Sequence, residues 1–327
     1  ELLRSVLRHL IDCALGEFAF DVMFFAPANT QLFIDVFEPA CEVVHQLTVQ
    51  WVRSSFDVVG VMLLCILLQE AVEDLAKEGV PILQEFFLNL RSKSNSRFKE
   101  LMTQQIKSVK SVPVHPMNLN VTTEVHPAVK RFAELSCSVY VLGISYEMYV
   151  SKDLWEDSVS TLAQEMVNLL MKLASCVKEN KRPTYILNSC LYVADVYAGR
   201  HLNVENDFIK LYQDRLHLFV EEMMAKYFAS LVSVVDKYGG KTDGVPSFTS
   251  IEIKNMQRYE TSWKESIRTV HDFIHQEFKY KCVDVFRYFA NELSSYHTRF
   301  VQLLQGTPYA KNVVPVQTVS SERSEER

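Results

Sequence analysis

Apolar residues recur every three or four positions along most of the chain, and the longest such stripe occupies its last third. Trp263, Ile267, Val270, Ile274, Phe278, Cys282, Val285, Phe289, Leu293, Tyr296, Phe300 and Leu303 step by threes and fours. That spacing keeps one face of a helix apolar, and the two-residue alternation of a strand cannot produce it. A second stripe runs Phe208, Tyr212, Leu216, Phe219, Met223, Tyr227, Leu231, Val235. Each stripe has to bury its face against a neighbour. No strand-like run of comparable quality occurs, and no repeat of tetratricopeptide, ankyrin or HEAT type is visible.

Breakers divide the pattern. Thr30 caps a short helix through Phe37, and Pro39 suits the start of a new one reaching about Ser54. Asp57 caps the next helix, which stops at Gly79, and Pro81 opens another to about Val112. Residues 113–124 hold two prolines and no helical period, so they read as a linker. Pro127 starts a helix to about Tyr149, and Asp153 caps one to about Val177. A polar turn at 179–183 leads into a helix stopping near Gly199. Asn203 leads into one long helix through Tyr238, closed by Gly239-Gly240 and followed by a loop to Phe248. From Thr249 to about Gln305 the pattern is helical, with a break expected near Lys279–Lys281. The prediction is all-α: an elongated stack of antiparallel helical bundles, divided as 1–112 bundle, 113–124 linker, 125–305 bundle and 306–327 disordered tail.

Composition agrees with few turns. Only 9 Gly and 10 Pro occur in 327 residues, against average usage of about 7% and 5%. The formal net charge of −6 argues against a nucleic-acid partner. The longest apolar run, Val58 to Leu68, spans 11 residues, and a membrane span needs about 20; it reads as a buried helix. Seven cysteines include no CxxC pair and read as reduced, buried thiols of a cytosolic protein. The chain opens without Met inside a helical pattern and reads as a piece of a longer protein.

Catalytic signatures are missing. There is no GxGxxG, no GxxxxGK[ST] and no GxSxG. No Asp-Asp pair exists to begin the magnesium motif of a helical cyclase. His271-Asp272-Phe273-Ile274-His275 places two histidines on one helix face, but Asp272 stands where a metalloprotease has its Glu base. A His-Asp metal hydrolase would need further ligands, and His201, His217 and Asp284 are not marked as a set. These readings leave no catalytic residue, cofactor, metal or small-molecule substrate to expect. Charge is uneven, however. Arg91, Lys93, Arg97, Lys99, Lys107 and Lys110 oppose only Glu100 between 91 and 110. The bland reading is a solvated helix face; the sharper one is a contact for anionic lipid or an acidic partner.

The order of several segments resembles a known family. Val125 to Ser136 carries a basic residue, an aromatic, then Ala133-Glu134-Leu135-Ser136. Thr261-Ser262-Trp263-Lys264-Glu265-Ser266 and Tyr296-His297-Thr298-Arg299-Phe300 follow, with Phe56 to Val61 and Gly79-Val80-Pro81 upstream in matching order. Across roughly residues 40–305 the chain resembles the vacuolar-protein-sorting fifty-two subunit of the Golgi-associated retrograde protein tethering complex. The resemblance implies a non-enzymatic, helical-rod subunit, peripheral on trans-Golgi and endosomal membranes. It implies other tether subunits, SNAREs and small GTPases as partners, and no catalytic residue is carried over. A helical adaptor of exocyst or oligomeric Golgi type is the nearest alternative; a helical metal-dependent hydrolase using His271, Asp272 and His275 is the more distant one. The segment Lys279–Lys281 lacks the Asn-Gly type of break expected between two final helices.

Overall fold

A computed structural model describes residues 2–25, 30–114, 124–238, 248–305 and 307–309. Among them stand eleven α-helices and one 3-10 turn, with no strand. The chain is therefore an all-α assembly of helical bundles. It divides into two compact units: residues 1–114, 127–172 and 196–208 form the first, and 115–126, 173–195 and 209–327 the second. Residues 115–123 of the expected linker lie outside the described residues, as do the Gly239-Gly240 stop and all of the expected tail except 307–309.

In the first unit, α3 (Val58–Lys77) is the most buried helix, packed along α4 (Pro81–Lys110) and also touching α1 (Leu2–Phe24). Its start and stop follow local chemistry. The Asp57 carboxylate accepts from the Gly60 N–H at 3.0 Å, satisfying one of the unpaired donors of the first turn. Gly79 takes φ 72°, a left-handed conformation that a side chain would strain. Pro81 then opens α4 at a position where its missing N–H costs nothing.

α2 is one helix, Thr30–Ser54, with Pro39 inside it, rather than two helices meeting at Pro39. An interior proline costs about 3 kcal/mol in a helix. Here the buried face Phe33, Phe37, Val44, Thr48 and Val52 keeps its period through Pro39, which sits on the exposed side. Burial of several large side chains at about 1.5–3 kcal/mol each outweighs one lost backbone bond.

α5 (Pro127–Ser145) and α6 (Lys152–Ser175) follow. Ser151 caps α6, accepting from the Asp153 N–H at 3.3 Å, so Asp153 lies in the first turn instead of at the cap. Gly143 of α5 lies against the buried indole of Trp155. A polar cluster holds residues 196–208 to α5: the Ser136 and Tyr197 hydroxyls are 2.8 Å apart, and the Asn206 amide donates to Tyr197 at 3.3 Å.

The second unit contains most of α7 (Arg182–Gly199) and α8 (Asp207–Tyr227), with α9 (Ala229–Tyr238), α10 (Ser250–Glu277) and α11 (Cys282–Leu304). The long helix expected through Tyr238 is interrupted at Phe228, whose ring is buried 5.8 Å from Phe289. The next turn tightens there, with the Leu231 N–H donating to the Phe228 carbonyl at 2.9 Å. The break between α10 and α11 falls where expected, at 278–281, without an Asn-Gly pair. Lys281 takes φ 47°, a left-handed position costing a non-glycine residue about 1–2 kcal/mol. Tertiary bonds fix it. The Asn188 amide donates to the Glu277 carbonyl at 2.9 Å and accepts from the Lys279 N–H at 3.4 Å. Both expected stripes line one core, including Trp263, Val270, Ile274, Phe289, Phe219, Met223 and Leu231.

Glu252 joins the end of α9 to the start of α10. Its carboxylate takes the Lys237 ammonium, the Tyr238 hydroxyl at 2.8 Å and the Thr249 N–H at 2.6 Å. Those partners, the ammonium first, hold the acid down to about 2. Thr307 is buried and Tyr309 meets the Phe248 ring at 6.2 Å.

Candidate interaction surfaces

The basic segment forms part of α4, and its six cations serve different ends. Arg97 is a strut: its guanidinium donates to the Ser55 carbonyl at 3.0 Å, pairs with Glu100 at 3.0 Å and lies over the Phe56 ring. Its side chain is 15% exposed. It thus fixes the turn between α2 and α3. Lys93 donates to His45 at 2.7 Å, and Lys110 pairs with Glu165 at 3.3 Å. Arg91 is half-buried beside Cys65, whose thiol burial pushes up to about 12 while Arg91 pulls the other way. Lys99, Lys107 and Lys110 are exposed and fall within about 80° of one another on the helix. Lys93 is exposed as well, so the outward charge of this segment lies in four lysines, of which Lys93 meets His45 and Lys110 meets Glu165.

A second surface was not anticipated from the sequence. Val36, Val43, Leu47 and Trp51 of α2 are 55%, 57%, 55% and 38% exposed. With Ala40 they form an apolar stripe beside the buried one, within about 80° of arc. α2 thus carries two adjacent apolar faces, and its own unit covers one. The signal lay in the sequence as apolar residues at 36, 40, 43 and 47 in addition to 33, 37, 41, 44 and 52. Near Trp51 the stripe enters a groove of about 810 Å³ lined by Leu3, Val6, Leu47, Trp51, Leu63 and Leu67. Asp35 and Arg53 share one line of α2 about 80° beyond the stripe on the side away from the core, and Glu38 lies on the opposite face.

His271 and His275 do share one face of α10, their rings tilted with centres 4.2 Å apart, and His271 makes an edge-to-face contact with Phe286 at 5.0 Å. Asp272 lies 3.4 Å from His271. His217 pairs with Glu221, Asp284 with Arg287, and His201 occupies a left-handed turn position after α7. Among the described residues no three His, Cys, Asp or Glu side chains group to hold a metal. Among them, too, no helix is long and apolar enough to cross a membrane.

Packed helices with solvent-facing charged and apolar stripes define a helical-bundle protein. The family model described as Vps52, C-terminal, matches residues 1–222, more than half of the chain, and the chain belongs to that family. It is similar to vacuolar protein sorting-associated protein 52 A of Arabidopsis thaliana, 21% identical over 98% of this chain and 46% of that protein. It is similar also to the vacuolar protein sorting-associated protein 52 homolog of Caenorhabditis elegans, 21% identical over 98% of this chain and 48% of that protein. A Schizosaccharomyces pombe protein of the same name is 22% identical over 58% of this chain and 38% of its own length. The chain spans about half the length of the first two relatives.

Proposed function

We propose that the chain is a non-enzymatic scaffold within the Golgi-associated retrograde protein tether, acting in transport from endosomes to the trans-Golgi network. Family membership carries this reading. The protein works through helix faces that hold other tether subunits, and through them SNAREs and small GTPases. It sits peripherally on trans-Golgi and endosomal membranes from the cytoplasmic side. Lys99, Lys107 and Lys110 are the cations best placed for an anionic leaflet or an acidic partner, at about 1 kcal/mol each near a charged surface. Arg91 and Arg97 are half-buried within the bundle, and Lys93, though exposed, is bonded to His45.

Affinity purification of the tagged protein from cells tests the reading. Recovery of the retrograde tether's other subunits is expected. Recovery of exocyst or oligomeric Golgi subunits in their place would move the assignment.

A further inference from the structure

A cleft of about 310 Å³ opens between α2 and α4. Two side chains of α4 reach across to α2 beside it. The Lys93 ammonium donates to His45 at 2.7 Å, and the Arg97 guanidinium donates to the Ser55 carbonyl at 3.0 Å. Both line the cleft, with Thr48, Val52 and Arg53 on the α2 side. We propose that this cleft binds a phosphomonoester group, carried on a lipid headgroup or on a small soluble molecule.

Charge points that way first. Arg53, Lys93 and Arg97 line the cleft against one carboxylate, Glu100, which pairs with Arg97 at 3.0 Å and is 63% exposed. Glu42, in the adjoining groove of about 660 Å³, accepts from the Gln46 amide at 2.7 Å. Donors without acceptors are the second observation. Thr48 is 1% exposed, and its hydroxyl has no hydrogen-bond partner among the described residues. Ser94 and Ser96, on the α4 wall, give their hydroxyls to the Leu90 and Ser92 carbonyls one turn back; Thr48 makes no such bond. The Arg97 Nε–H is likewise buried and unpartnered. Buried donors are nearly always satisfied, and two left over on one cleft are destabilising until an acceptor reaches them. The third observation is fit. A phosphomonoester carries a charge of about −1.5 to −2 near neutral pH and three acceptor oxygens. That suits two guanidinium groups, an ammonium and a hydroxyl better than the single charge of a carboxylate. Lys93 keeps N–H donors beyond the one given to His45. The cleft lies at the lower end of the range of about 300–1,000 Å³ seen for small-molecule sites. The site does not depend on the tether role of the chain.

Calorimetric titration of the 327-residue chain with glycerol 3-phosphate tests the soluble source. Flotation with phosphatidylcholine vesicles containing phosphatidic acid tests the lipid source, against vesicles of equal charge containing phosphatidylserine. Saturable binding of a phosphomonoester is expected, with glycerol itself inert. Arg53→Gln should weaken it by at least about tenfold, with an unchanged melting curve because Arg53 is exposed. Thr48→Val should also weaken it, yet should not lower the melting temperature of the free protein, since it removes a buried hydroxyl that has no partner. Arg268→Gln, exposed on α10, should bind like the parent. A loss by Arg53→Gln on phosphatidic acid beyond any on phosphatidylserine assigns a lipid headgroup. Binding of glycerol 3-phosphate without that preference assigns a soluble molecule. Absence of both would overturn the inference. So would glycerol 3-phosphate bound equally by parent and Arg53→Gln, or glycerol bound as tightly as its phosphate.

Discussion

Gly16 and Gly143 both lie inside helices, yet replacing each by Ala should move stability in opposite directions. The intrinsic gain is the same: Ala is about 1 kcal/mol better than Gly in a helix interior. Nothing lies within 4 Å of a Cβ built at Gly16. Gly16→Ala should therefore stabilise by about 0.5–1 kcal/mol. At Gly143 the added Cβ falls 2.3 Å from Cε2 and 2.5 Å from Cζ2 of Trp155. Ordinary carbon contacts lie near 3.5–4.0 Å, so the indole or α5 has to move by more than about 1 Å. Trp155 has little room, being 3% exposed with the Tyr140 ring edge-on at 5.6 Å. Overpacking of this kind costs about 1–3 kcal/mol. Set against the propensity gain of about 1 kcal/mol, Gly143→Ala should lose up to about 2 kcal/mol. Urea titration followed by far-ultraviolet circular dichroism measures both. In a thermal scan the difference is about 2–4 °C per kcal/mol for domains of 150–250 residues. A Gly143→Ala protein as stabilised as Gly16→Ala would refute the close approach of α5 and α6.

Trp263→Ala should cost about 3–5 kcal/mol, because the side chain is 4% exposed within the α10 core; an unchanged melting curve would place it at the surface. Glu252 offers a pH test. Its carboxyl is held at about 2 against an ordinary 4.5, so its contribution is present above pH 4.5 and lost as pH falls towards 2. Thermal melts across that window should fall more steeply for the parent than for Glu252→Gln, and parallel profiles would remove the carboxylate from the account. Neutralising Lys99, Lys107 and Lys110 to Gln should weaken binding to anionic liposomes, with the difference shrinking as salt rises. Equal binding by parent and variant would end the membrane reading of α4. Arg97 is a poor choice for that test, since its guanidinium braces the Ser55 carbonyl and its loss would disturb the bundle.

Much of the fold could be read along the chain, because helix periodicity and local caps are written within a few residues of one another. The stripes through Trp263 and Phe219, the Asp57 cap and the Gly79 stop are of this kind. Each depends on side-chain spacing or on a backbone donor a few residues away. Where the sequence misled, a distant contact outweighed a local rule. Pro39 reads as a start, but the buried face running from Phe33 to Val52 carries α2 through it. Phe228 reads as one more helical position, but its ring turns into a core shared with Phe289 and splits α8 from α9. The break near Lys279–Lys281 falls where the pattern placed it, and Asn188, some ninety positions earlier, holds it there. The surfaces followed the same division. Composition located six cations, and only packing separated the inward strut Arg97 from the outward Lys99 and Lys107. Periodicity marked α2 as apolar on two faces, and only the fold decided which of them its neighbours cover. Sequence determines which groups share a helix face; burial, which sorts them into core and surface, is settled by the helices that pack against it.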